Sequence, residues 1–196
     1  MTAFRLGLTG SIGMGKSTTA GLFRAESIDV WDADAAVHRL YAKGGAAVGP
    51  LSSLHPKALL DGAIDRSRLK EWIASDPSAL SQIETLVHPL VAADRDLFAQ
   101  TATSDIVVFD IPLLFEKGTE RDMNATLLVT APADLQRKRV MARAGMTEEQ
   151  FNLILSRQMP DSEKRSRATH VVETLTIDQT RVYVQALIAH IRQGHA

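Results

Sequence analysis

The sequence predicts an α/β fold: a parallel sheet of five strands with helices on both faces, interrupted by a long helical insertion and by a second, basic helical excursion. Three observations carry this reading. Short apolar, β-branched stretches recur at 4–8, 28–31, 106–109, 126–130 and 170–172, at intervals suited to βα units. Helix signals fill the gaps: Asp76-Pro77 reads as an N-cap with proline in the first helical position, and Thr147-Glu148-Glu149-Gln150 and Thr176-Ile177-Asp178-Gln179 read as capping boxes. The length, 196 residues of which 45% are hydrophobic, suits one core with an insertion or two.

The first strand, Phe4-Arg5-Leu6-Gly7-Leu8, runs into Gly10-Ser11-Ile12-Gly13-Met14-Gly15-Lys16-Ser17-Thr18, a complete G-x-x-x-x-G-K-[ST] phosphate loop that opens a helix. Glycines let the backbone turn so that N–H groups point at phosphate oxygens, and the helix dipole favours the anion. Gly13, Met14, Gly15, Lys16, Ser17 and Thr18 are the candidate nucleotide-binding set. Lys16, expected in a solvent-filled loop, reaches the β and γ phosphates, and the Ser17 hydroxyl takes Mg²⁺. A glycine-rich turn without a ligand is the alternative.

The second strand ends on Asp32-Ala33-Asp34 and the third on Asp110, followed by Ile111-Pro112-Leu113-Leu114-Phe115-Glu116. Carboxylates at the ends of parallel strands gather at the sheet edge where a ligand binds. Asp110, after four apolar residues, suits the Mg²⁺ shell, and Asp34 suits an incoming hydroxyl. A helix cap for Asp32 or Asp34 and a turn for Asp110 are the structural alternatives. His38 lies four residues beyond Asp34, on the same helical face. Between the second and third strands, 35–41, 66–73, 78–87 and 90–99 read as helices, with His88-Pro89 dividing the last two; an insertion of this length suits substrate binding.

The basic excursion, 134–167, carries eight Lys/Arg against five acids, a local charge of +3 in a chain whose total is −1. It reads either as a solvated helical face or, beside a phosphate loop, as a mobile lid. Arg139 and Arg143, four apart, would then share a helical face and aim at the phosphates. In the last helix Val184, Leu187, Ile188 and Ile191 fall at i, i+3, i+4 and i+7 and pack on the core.

Composition narrows the function classes. A net charge of −1 gives no global field for nucleic acid or an acidic membrane, and no apolar run is long enough to span one. The absence of cysteine excludes disulfides, thiolate metal sites and cysteine nucleophiles, and the N-terminus lacks a signal peptide, so a cytoplasmic protein is expected. None of the six histidines falls in a metal-ligand pattern such as H-E-x-x-H.

Six motifs follow in order across nearly the whole chain: the phosphate loop within 8–18, Asp32-Ala33-Asp34, Gly62-Ala63-Ile64-Asp65-Arg66-Ser67-Arg68-Leu69, His88-Pro89, the Asp110 to Glu116 stretch, and Gln136-Arg137-Lys138-Arg139 with Arg143. This series resembles the dephospho-coenzyme A kinase family, for which D-x-P-L-L-F-E together with D-A-D and H-P is distinctive. The last strand departs from the family's A-D-x-V-I-x-N-x-G, reading Ala168-Thr169-His170-Val171-Val172-Glu173-Thr174-Leu175-Thr176. The resemblance implies a three-layer P-loop kinase fold in a single domain, with its core over 1–33, 100–133 and 168–196, a helical CoA-binding insertion over 34–99 and a lid over 134–167. It implies transfer of the ATP γ-phosphoryl group to the ribose 3′-hydroxyl of dephospho-coenzyme A, giving coenzyme A and ADP, with ATP and Mg²⁺ as cofactors. By the same resemblance Lys16, Asp34, Arg139 and Arg143 are catalytic, Asp34, His38, Arg66, His88, Asp110 and Leu114 contact substrate, and Ser17 and Asp110 hold the metal. The expected partners are small molecules alone, with neither nucleic acid nor membrane, for a monomer or weak homo-oligomer. The alternatives are another small-molecule kinase, acting on a nucleoside monophosphate or a hydroxy acid, and a nucleotide-gated switch; the chain lacks the N-K-x-D signature of guanine switches.

Overall fold

Every expected strand is present, with its ends displaced by one residue at most, in the computed structural model, which describes residues 3–195. The elements are β1 (Phe4–Thr9), α1 (Lys16–Ala25), β2 (Asp29–Asp32), α2 (Ala33–Tyr41), α3 (Val48–Leu54), β3 (Leu59–Leu60), β4 (Ala63–Ile64), α4 (Arg66–Ser75), α5 (Ala79–Thr101), β5 (Ile106–Asp110), β6 (Ala125–Thr130), α6 (Ala133–Met141), α7 (Glu148–Ser156), α8 (Asp161–Arg167), β7 (His170–Glu173) and α9 (Ile177–His195). The chain up to Trp31 and from Ala102 onward forms one unit, and Asp32–Thr101 forms another.

The first unit is a three-layer α/β structure on a five-stranded sheet in the order β2-β5-β1-β6-β7. β1 pairs parallel with β5 and β6, and β6 with β7. β5 and β6 are buried along their whole length, as strands covered on both faces must be, which is why they read as unbroken apolar runs. Helix α1 packs on α9, β1 and β5, and α8 packs on β6. The four apolar positions of α9 are 0 to 6% exposed, each stabilising the fold by about 1.5–3 kcal/mol on burial. The register matters most for function. Leu8 stands opposite Asp110, and the Ile111 N–H donates to the Leu8 carbonyl at 3.0 Å, so the phosphate loop leaves β1 beside the end of β5.

The second unit folds around Leu40, Leu51, Ile64, Leu69, Ile83 and Val87. Here the expectation of two helices divided by His88-Pro89 is corrected: α5 is one helix of 23 residues with Pro89 inside it. An interior proline forfeits a backbone hydrogen bond and costs about 3 kcal/mol. Tertiary packing overrides that penalty, because Ile83 and Val87 before the proline and Leu90 and Val91 after it all pack in one cluster. The Asp76 side chain accepts from the Ser78 N–H at 2.8 Å, the bond expected of a cap, although α5 begins at Ala79. The β3–β4 hairpin was not anticipated. Its turn is Asp61-Gly62, both at positive φ (51° and 83°), the pair that a two-residue type I′ turn favours. Among the described residues no helix is long and apolar enough to cross a membrane.

Candidate active site

Gly13 and Gly15 adopt φ values of +77° and +90°, left-handed conformations that glycine reaches without strain. Neither has room for a side chain: a Cβ on Gly13 would lie 2.5 Å from Val140 Cγ2 of α6, and one on Gly15 would lie 2.8 Å from Thr174 Oγ1 just past β7. The loop is therefore pressed between α6 and the chain leaving β7. Side chains also pin its peptide groups. Gln136 Nε2 donates to the Ile12 carbonyl at 2.8 Å, and the Ile12 N–H donates to Gln158 Oε1 at 3.1 Å. The Thr174 hydroxyl donates to the Met14 carbonyl at 2.8 Å, and the Ala131 N–H donates to Met14 Sδ at 3.0 Å. The Met14 side chain is thus a core group, and its backbone N–H and carbonyl are both bonded within the protein, to the Ser11 carbonyl and the Thr174 hydroxyl.

Lys16 and Asp110 come together, with Lys16 Nζ donating to Asp110 Oδ1. Asp110 is 3% exposed and Lys16 only 17%, which corrects the expectation of a solvent-filled loop. The cause is the Leu8–Asp110 register, which sets a buried carboxylate beside the loop, where it requires a cation. Ser17 and Thr18 are exposed in the first turn of α1. Among the described residues no cluster of three or more histidines or carboxylates could hold a metal by itself. Mg²⁺ needs no such cage, since it is commonly held by one or two protein oxygens, phosphate oxygens and water. The exposed Ser17 hydroxyl and the Asp110 carboxylate fit that requirement.

In the basic excursion, Arg139 Nη1 donates to Thr174 Oγ1 at 2.9 Å and Nη2 to the Thr174 carbonyl, so its fork grips the residue that holds Met14. Arg143 does not share a helical face with it. Helix α6 ends at Met141, the Arg143 N–H closes a tightened last turn on the Val140 carbonyl at 3.0 Å, and Gly145 at φ +76° then turns the chain. Arg143 is exposed.

Two participants were missed. Lys164, on α8, is 0% exposed, with Nζ 2.8 Å from Glu116 Oε1 and donating to Ser11 Oγ at 3.3 Å. The Met159 N–H also donates to Glu116 Oε1, at 2.9 Å. Burial pushes the Glu116 carboxyl up, but the bonds from Lys164 and Met159 outweigh it and hold the group below the ordinary carboxylate range. From sequence Lys164 is one cation among eight, because Asp-Ser-Glu-Lys-Arg-Ser-Arg contains no apolar residue to mark an inward face. Thr174 falls where the strand departs from the family pattern, so no motif points to it.

Leu114 is corrected in the other direction. It is 0% exposed and packs against Gly7, where a Cβ would meet its Cδ2 at 2.9 Å, so its side chain belongs to the core and offers no surface to a substrate. In the second unit, Asp32 caps α2 by accepting from the Ala35 N–H at 2.9 Å, while Asp34 and His38 are exposed on that helix. Arg66 opens α4 with its guanidinium 5.8 Å from the Tyr41 ring centroid, and His88 on α5 stands 3.8 Å from Glu84; both are exposed.

Comparison with known proteins adds a family. A family model described as dephospho-CoA kinase matches residues 4–178. The dephospho-CoA kinase of Cereibacter sphaeroides is 65% identical over 193 residues, covering 98% of each chain. Of solved structures, TT1252 from Thermus thermophilus matches with a TM-score of 0.86 and 37% identity over 97% of this chain and 98% of its own. The dephospho-CoA kinase from Campylobacter jejuni matches with a TM-score of 0.71 over 98% of both chains, at 23% identity a likeness of fold.

Proposed function

The chain belongs to the dephospho-CoA kinase family, and from that premise we propose how its own residues divide the transfer of the ATP γ-phosphoryl group to the ribose 3′-hydroxyl of dephospho-CoA. The observation that carries the assignment is the Lys16–Asp110 pair beside a loop whose two glycines are held in left-handed conformations. Lys16 and the loop N–H groups take the β and γ oxygens, and Ser17 with Asp110 holds Mg²⁺, which when bound neutralises charge on the phosphate oxygens. Asp34 accepts a hydrogen bond from the acceptor hydroxyl and aims it. An ordinary carboxylate suffices for this, because in a loose transition state the proton leaves late.

Arg139 acts from behind the loop, through Thr174 and the Met14 carbonyl. The unit Asp32–Thr101 is the acceptor-binding insertion, with His38, Arg66 and His88 as its exposed polar contacts. The excursion after β6 is the lid, in which Arg143, exposed beyond the end of α6, is a solvated cation and not a phosphate ligand. The test is direct: incubate the purified protein with ATP, Mg²⁺ and dephospho-CoA, AMP or shikimate in parallel, and identify the product by mass. One added phosphoryl group on dephospho-CoA alone is expected. Comparable phosphorylation of AMP or shikimate would overturn the acceptor assignment.

A further inference from the structure

We infer that Lys164 is a positioning residue for phosphoryl transfer, and that 158–167 is a strut fixing the phosphate loop against the chain that leaves β5. The inference rests on the kinase reading of the loop but not on the identity of the acceptor. A fully buried lysine requires explanation, since an ammonium taken from water is costly unless paired and hydrogen-bonded. Stability does not supply one, because a buried ion pair is seldom better than apolar residues of the same volume. Its placement does. The ammonium binds Glu116, six residues beyond Asp110, and Ser11, the second residue of the phosphate loop.

The neighbouring bonds repeat the pattern. Gln158 accepts from Ile12 of the loop, the Met159 N–H donates to Glu116, and Arg167 pairs with Glu120 while lying 5.4 Å from the Phe115 ring centroid. One short segment thus contacts the loop that carries Lys16 on one side and the chain that carries Asp110 on the other. An apolar side chain could fill the space of Lys164, but only directional bonds fix the Ser11 hydroxyl relative to Glu116. The tolerance is small, since a displacement of about 1 Å can cost ~10²-fold in rate.

The test measures kcat, KM for ATP, melting temperature, and ATP–Mg²⁺ affinity by calorimetry without any acceptor. In Lys164→Met the melting temperature falls and kcat drops by about 10- to 100-fold. In Lys164→Met/Glu116→Gln, which removes both charges, the melting temperature returns while kcat and ATP affinity stay low. Recovery of all three in that double variant would make Lys164 merely structural and overturn the inference. Should Lys164→Met not fold, Ser11→Ala decides, since it leaves the ion pair intact. It should keep the melting temperature, weaken ATP affinity by roughly 5- to 10-fold, and add nothing further in the double-variant background. Wild-type affinity and kcat in Ser11→Ala would also overturn it. An inactive wild-type protein with dephospho-CoA would count against the acceptor alone, because the affinity measurements contain no acceptor.

Discussion

Lys16, Asp110, Arg139 and Glu116 in the sheet-bearing unit each bind another protein group within that unit. Asp34, His38, Arg66 and His88 in the unit Asp32–Thr101 are instead exposed on α2, α4 and α5, and the contacts of Arg66 with Tyr41 and of His88 with Glu84 are made from these exposed positions. The difference agrees with the roles proposed for the two sets. Charge that develops on a transferring phosphoryl group is best met by groups already fixed in place, because nothing then reorganises during the reaction. Recognition of a large acceptor can be left to solvated side chains that become ordered on binding. Substitutions in the first set should therefore lower stability and turnover together, and those in the second should lower turnover alone.

The largest effect is expected from Lys16→Met. It takes the ammonium off a carboxylate only 3% exposed, which should cost about 3–5 kcal/mol of stability, and it should lower kcat by at least ~10-fold, about 1.4 kcal/mol. Lys16→Met/Asp110→Asn should regain the melting temperature without regaining turnover. An unchanged melting temperature in the single variant would break the comparison at its strongest point.

Asp34→Asn is the matching change on the other unit. Its side chain is exposed, so stability should move by less than ~0.5 kcal/mol, while kcat falls far more than KM for ATP rises. Asp110→Asn should instead respond to Mg²⁺ concentration. Equal, metal-independent effects in the two variants would show that the roles of the two carboxylates have been misassigned.

How much of this is legible in sequence follows the range of the interactions. The phosphate loop is legible because its glycines answer local backbone demands that any matching stretch would share. The five strands and the buried face of α9 are legible because one face or both must be apolar. The partner of Lys16 is not, since it depends on a register between β1 and β5, strands about a hundred residues apart in the chain. Pro89 misleads because its local penalty is outweighed by packing on both sides of it, which no window around the proline reveals. Arg143 misleads because helical spacing is assumed across a helix end that Gly145 marks. Lys164 is hidden by composition: on a helix without apolar residues, the side that faces inward is set by the surroundings.

Arg139 and Arg143 sharpen the comparison within the excursion itself. Arg139→Lys loses the planar fork on Thr174 and should lower the melting temperature and reduce kcat by about tenfold, the scale of a displaced loop. Arg143→Lys should stay near wild type in both. A fall of ~10³ or more in kcat for Arg143→Lys, with stability unchanged, would instead mean that lid motion delivers a cationic finger to the phosphates.

The smallest effect concerns acid stability, where each unit carries a carboxyl held below its ordinary range. Burial raises Glu116, but Lys164 and the Met159 N–H more than reverse it. The Ser78 hydroxyl and N–H hold Asp76 down in the other unit. The sign is the same for both: as pH falls through about 4, the unfolded chain takes up these protons before the folded one does, so stability present at neutral pH is lost progressively below that point. Urea unfolding between pH 7 and pH 3 measures the slope. Glu116→Gln should lower stability at pH 7 and flatten the acid limb, because its partner ammonium is buried and poorly screened by water. Asp76→Asn should flatten it less, because the bonds that Asp76 accepts from Ser78 lie at the exposed surface and compete with water. If Asp76→Asn flattened the limb as much as Glu116→Gln, the fully buried partner ammonium would not be what separates the two carboxyls.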